Sequence, residues 1–355
     1  MKFALVILLI VSLVLLGIAL VLWLFLLLHR LVDNRRTTRG EQVAHDWLGL
    51  LLPVLEEVEP VDHLPRIQSH AVLESVLELV GELNERFRGQ YREQLKDVLV
   101  HIGGEDYGLE LVHSRSRQQR VRGCALLGWT SLNPNVDFAL ERCLRDVDGQ
   151  VRVEAAYSLS LRQESGVTLQ AVLASLREGG CLESERVRDI VRKYAPTRVR
   201  ELASLLTREE SAREKVLLLD AISVAGDLAQ AGVVAAQLTH PAPSVRAAAV
   251  LTLEKLSDPE HMEQVAALTK DTDPKVRLAV AKYSVSMGRN AGARYLLWQL
   301  AQDVNFDVQR VATHGLASVK GDFWERLRAG CHQDPLLESL IEEAIEAASP
   351  TLVRS

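Results

Sequence analysis

From Ile67 onward the apolar residues of this chain return at helical spacing, and the helices they mark return at a near-constant interval. The first inward apolar residue of each second helix falls at Tyr91, Val121, Val151, Val187, Leu217, Val245, Val276, Val308 and Leu337, with spacings of 30, 30, 36, 30, 28, 31, 32 and 29 residues. A helix pair cannot bury its apolar face alone, so such a period predicts stacked pairs: an all-α fold, an α-solenoid. Four residues after each register position stand mostly small residues, among them Ala125, Ala155, Ala221, Ala249 and Ala312, which let neighbouring helices approach closely. Three before it stand N-cap types at Asp148, Ser184, Asp273, Asn305 and Asp334, and Pro243, Pro274 and Pro335 take the first helical position, where a missing N–H is harmless. Shorter periodic helices are predicted between them, at Phe138–Leu144, Leu169–Leu176, Val199–Leu206, Val233–Leu238, Met262–Leu268, Ala293–Leu300 and Phe323–Leu327.

The N-terminal pattern is different. Residues 3–28 carry no charge and a single polar side chain, Ser12. As a helix they reach about 39 Å, against a hydrocarbon core of roughly 30 Å, so the segment is expected to be one tilted transmembrane helix within residues 1–30. The alternative, a cleaved signal peptide, fits less well, because His29 and Arg30 follow where a small-residue cleavage site would stand. Lys2 precedes the span and Arg30, Arg35, Arg36 and Arg39 follow it, which places the N terminus outside and the C-terminal body in the cytoplasm, single-pass in the inner membrane. Residues 31–66 are expected to link anchor and body through an amphipathic helix from Gln42 to Val58 that packs on the body or lies on the headgroups. The solenoid then occupies 67–347, with a tail at 348–355.

Charge narrows the partners. Residues 41–355 hold 36 basic and 46 acidic residues, a net of −10, a poor match to nucleic acid. The four cysteines, at 124, 143, 181 and 331, are far apart; they read as small apolar core residues in a reducing compartment, against a metal or disulfide role.

The pattern Asp148, Val151, Arg152, Ala155 and its near-copy Asp273, Pro274, Val276, Arg277, Ala279 resemble the HEAT-repeat family, over about residues 67–347. The resemblance implies antiparallel helix pairs in a curved solenoid and a ladder in which the turn Asp meets the following Arg of neighbouring repeats. Gln309 in place of Arg, Ala242 in place of Asp, and the absence of both near Leu217 leave gaps in that ladder. The order of membrane helix, basic flank, Leu51–Glu57 segment and repeat body is also similar to bacterial membrane-anchored HEAT proteins found beside envelope-glycan glycosyltransferases.

No motif of nucleotide binding, nucleophilic catalysis or metalloprotease chemistry is present, the ten histidines are dispersed, and no cofactor or small-molecule substrate is expected. Two basic clusters stand out: His113, Arg115, Arg117, Arg120, Arg122, and Arg186, Arg188, Arg192, Lys193, Arg198, Arg200. Arg122 and Arg188 are ladder positions; Arg115, Arg117, Arg120, Arg192, Lys193, Arg198 and Arg200 are the candidates for a partner or anion patch, weighed against an ordinary solvated surface. Gly179, Gly180 and Cys181 lie in the longest repeat, whose connection before Val187 is a candidate insertion on a binding face. The expected function is a non-enzymatic, membrane-tethered scaffold binding a protein partner in a membrane complex. The alternative, by resemblance to phycobilisome lyases that also contain HEAT-like repeats, is an enzyme attaching a bilin to cysteine.

Overall fold

The architecture follows from where the small and branched residues fall within each repeat. The computed structural model describes residues 42–348 apart from 68, 88, 131–132, 163–165, 210, 320 and 331–333, and every regular element there is helical. The apolar stretch 3–28 lies outside the described residues, and among those described no helix is long and apolar enough to cross a membrane. The chain divides into two units, one ending at Ala139 and one beginning at Leu140.

The N-terminal unit holds α1 (residues 42–55), α2 (His70–Arg86), α3 (Gln90–His101), α4 (Gly104–Leu111) and α5 (Arg117–Leu127), with α6 (Pro134–Cys143) crossing the division. Trp47, Leu51, Val54 and Leu55 of α1 enter one core with Val76 and Val80 of α2 and Leu95, Val98 and Leu99 of α3. The amphipathic helix expected before the repeats therefore packs on the body. Tyr91, taken from the sequence as the first register position, is instead 45% exposed. It stands in the first turn of α3, so the inward stripe starts one turn later, at Leu95.

An apolar hollow of about 220 Å³ opens beside Gly81, lined by Leu77, Val80, Leu99, Leu126 and Trp129. A Cβ placed on Gly81 would meet nothing within 4 Å. Glycine inside a helix costs entropy and packs nothing, so Gly81→Ala is expected to raise unfolding stability by about 0.5–1 kcal/mol. A urea midpoint unchanged or lowered in this variant would contradict the position assigned to α2.

The C-terminal unit stacks two layers. One contains α7 (Gly149–Leu161), the first part of α9 (Glu185–Arg208), α10 (Ala212–Ala225), α12 (Pro243–Leu256), α14 (Pro274–Ser286), α16 (Phe306–Val319) and α18 (Pro335–Ala348), each packed on the next. The other contains α8 (Leu169–Glu178), α11 (Ala231–Ala235), α13 (Met262–Ala267), α15 (Ala291–Leu300) and α17 (Asp322–Gly330). Val151, Val187, Val245, Val276 and Val308 are fully buried, as are Ala155, Ala221, Ala249 and Ala312 one turn on, which is the expected register. Ile345, at the far end of that stripe in α18, is exposed.

The expected helix at Val199–Leu206 is present without the expected turn. It continues α9 across a kink at Arg198, where φ and ψ are −127° and 31°. Pro196 supplies the cause: its ring removes an N–H and crowds the preceding turn. The connection before Val187 runs from Gly179 to Ser184, with Gly180 at a φ of 64° and Cys181 donating to the carbonyls of Gly179 and Gly149 at 3.3 and 3.6 Å. Cys124 and Cys143 are buried, as expected of core cysteines; Cys181 is only half-buried, and Cys331 lies outside the described residues.

Candidate partner-binding surface

The ladder arginines show what a half-buried guanidinium requires in this fold. Arg246 sets its fork on Asp271, Nε to Oδ2 at 2.7 Å and Nη2 to Oδ1 at 2.8 Å, and donates Nη1 to the carbonyls of His240 and Pro241 at 2.8 Å each. Arg277 repeats this on Asp303 at 2.6 and 2.9 Å, with Nη1 on the carbonyls of Asp271 and Thr272. The ladder acid is thus not the N-cap Asp. Asp273 accepts from the Lys275 N–H of its own helix at 2.7 Å, and Asp148 from Gln150 N–H at 2.8 Å; the acids on Arg246 and Arg277 are Asp271 and Asp303, each two positions before the cap residues Asp273 and Asn305. Arg152 has no acid partner among the described residues and donates instead to the carbonyls of Asp146 and Ser175, at 2.5 and 3.1 Å.

The Arg246 pair, with the N–H of Asp273, holds the Asp271 carboxyl below the usual carboxylate range against the opposing pull of burial. Burial acts most strongly on Asp303 and pushes it up, but Arg277 and the Asn305 N–H together outweigh it and the carboxyl is lowered.

Most of the cations singled out in the sequence are held by the fold. In the N-terminal unit, Arg120 closes the α4–α5 turn on the carbonyls of Ser114 and Arg115 at 3.2 Å, and Arg122 reaches Glu74 and Glu78 of α2 at 2.9 and 3.2 Å. Arg115 and Arg117 are exposed beside them. In the C-terminal unit, Arg192 grips Asp220 with both fork nitrogens, at 2.6 and 2.8 Å. Arg186 grips Glu154 and stacks 4.4 Å from the Tyr157 ring, on which Lys193 also lies at 5.2 Å. Burial pushes the Glu154 carboxyl up while Arg186 opposes it. Arg192, Lys193, Asp189 and Tyr157 line one surface hollow of about 310 Å³. Arg198 is drawn away from that hollow, donating to the Val167 carbonyl at 2.7 Å and lying over Tyr194. Arg200 and Arg188 are exposed, the former near Asp227.

A further surface, which the repeat pattern does not mark, lies on α15 and α17. Tyr295 and Trp298, one turn apart on α15, lie with ring centroids 5.9 Å apart and planes 28° from parallel. Phe323 of α17 meets them at 5.9 and 6.0 Å. Tyr295 is 45% exposed and Trp298 and Phe323 are half-buried. Arg326 lies 5.8 Å from the Phe323 ring, and the Tyr295 hydroxyl accepts from Gln299 at 2.9 Å. A signal for this face was present: of the chain's 5 Trp, 6 Tyr and 6 Phe, five residues fall between Tyr295 and Trp324. Trp324 points the other way and is buried, so the helix period divides these aromatics between core and surface.

Residues 232–317 match a family model described as HEAT repeats. The match takes in most of α11, α12 to α15 and most of α16, with both ladder pairs. No curated relative matches the chain. Among solved structures, an engineered protein is 16% identical over 78% of this chain and 88% of its own, with a TM-score of 0.37. The E. coli protein YibA is 16% identical over 79% of this chain and 99% of its own, with a TM-score of 0.33. Kap121p is 12% identical over 80% of this chain and 41% of its own, with a TM-score of 0.40, so this chain spans about two-fifths of its length.

Proposed function

We propose that this chain is a non-enzymatic repeat scaffold that holds a partner protein, with the aromatic face of α15 and α17 as the anchor of the contact. That face carries the reading. Tyr295 is exposed and Trp298 and Phe323 half-buried beside an arginine, the residue types that dominate binding energy at protein interfaces, while most cations of the two basic clusters are held by the chain's own carboxylates, carbonyls and rings. Residues 3–28 and the arginines after them are the reason to place the partner in a membrane complex at the cytoplasmic face of a bacterial inner membrane, an envelope-glycan assembly by resemblance. A tether raises the effective concentration of the repeats for such a partner without any new contact.

Crosslinking in intact cells tests the anchor. Trp298→Ala is expected to reduce the principal crosslinked product at least tenfold with expression unchanged; equal product from both proteins would sink the reading. A periplasm-active reporter fused after Ser355 is expected to be silent, and a positive signal would overturn the orientation.

A further inference from the structure

We infer that the partner presents an acidic, extended segment to this face, with one carboxylate seated on Arg294 and apolar side chains against Tyr295, Trp298 and Phe323. The inference rests on the partner-binding reading and names the chemistry of what binds. Arg294 stands one turn before Trp298 on α15, so the two side chains share a helix face. Its Nε is buried without an acceptor, and no carboxylate among the described residues pairs with its guanidinium. In the same unit Arg246 and Arg277, comparably half-buried, each fill the fork with a carboxylate and the remaining donor with carbonyls. Arg294 is therefore a guanidinium held in a protein environment with its fork empty. Its Nη atoms are neither buried nor hydrogen-bonded, so an incoming carboxylate can reach them and make a short, charge-assisted bond there.

A second cation extends the match. Arg326 lies over Phe323 on α17, and its guanidinium likewise has no acid partner among the described residues. Of the acids on α17, Glu325 is held by Arg328 at 3.6 Å, and Asp322 sits in the first turn, where the helix dipole favours it. Packed helices stand roughly 8–10 Å apart, about three residues of extended chain. A segment with carboxylates about three residues apart and aliphatic or proline residues between them meets both arginines and lays its apolar side chains on the rings. A single-stranded nucleic acid could also offer anions and flat bases, but the net charge of −10 over residues 41–355 opposes a polyphosphate.

The test uses the full-length protein in detergent micelles, with a fluorescein-labelled peptide of repeating Glu-Leu-Pro and a labelled oligothymidylate as probes. The peptide is expected to bind with a rise in anisotropy, and Arg294→Gln, Arg326→Gln and Trp298→Ala are each expected to weaken it at least tenfold. Arg326 is exposed, so a melting temperature equal to wild type in Arg326→Gln separates lost binding from lost fold. No peptide binding, binding indifferent to both arginine substitutions, or preference for oligothymidylate would each overturn the inference. In cells, a crosslinked product lost with Trp298→Ala but kept in full by the double arginine variant would remove the acidic segment and leave the scaffold reading standing. A product kept by both would remove the two together.

Discussion

Replacing Arg277 by Ala is expected to lower unfolding stability by about 3–5 kcal/mol, the cost of stripping one partner from a buried ion pair. The Asp303 side chain is only 8% exposed and Arg277 12%, so little of either charge reaches solvent in the folded state. The substitution leaves the Asp303 carboxylate without its cation and the Asp271 carbonyl without its donor. Arg277→Lys keeps the charge but not the fork and should fall between wild type and alanine. The measurement is a denaturant midpoint at constant slope; a midpoint within error of wild type would mean that the ladder contributes nothing.

Acid should reveal the same pair. Asp271 and Asp303 both have folded-state carboxyl values below their ordinary range. Their contribution is therefore fully present above the unfolded value of about 3.9 and is lost as pH falls through the lower folded values. Wild type should thus lose stability below about pH 4, and its advantage over Arg277→Ala should shrink across that window. A gap that widened with acid would contradict the ionised pair.

The repeat was legible because its signal is local. An apolar residue, a small residue one turn on and an N-cap three residues before lie within eight positions, and Val151, Val276 and Val308 with their neighbours were placed by that pattern alone. The ladder acid was assigned one step wrongly. Asp271 and Asp273 are both turn aspartates, and spacing cannot say which carboxylate folds back on Lys275 N–H and which faces the next arginine. The basic clusters overstated the free charge for a related reason. Their acids stand roughly one repeat away, Asp220 being 28 residues from Arg192 and Glu154 being 32 from Arg186. Cation density in a stretch of sequence is blind to partners that stacking delivers from the neighbouring repeat. Reading each arginine against the acids one period away would have removed most of that surplus. It would not have singled out Arg294, which has Asp322 28 and Glu325 31 residues further on; only the packed structure shows that neither carboxylate reaches it.

The close crossing of α4 and α5 gives the second large effect. Gly123 is buried in α5, and a Cβ there would stand 2.8 Å from the Val112 backbone nitrogen and 2.9 Å from both Leu111 Cβ and Val112 Cγ1. Two of these atoms belong to or adjoin the backbone, so no rotamer change relieves them, and the helices must separate. Gly123→Val is expected to cost about 3 kcal/mol or more, at or beyond the upper end of overpacking penalties. Gly108 on α4 makes the control. Its Cβ would meet Leu127 Cδ2 at 2.8 Å and Cγ at 3.0 Å, side-chain atoms whose shift leaves the backbone in place, and Ala is a better helix former than Gly. Gly108→Ala should therefore stay within about 1.5 kcal/mol of wild type, a cost typical of a swap that neighbouring side chains can absorb. Urea titration of the two variants separates a crossing fixed by backbone contact from one cushioned by side chains. Equal midpoints would mean that α4 and α5 do not meet at Gly123.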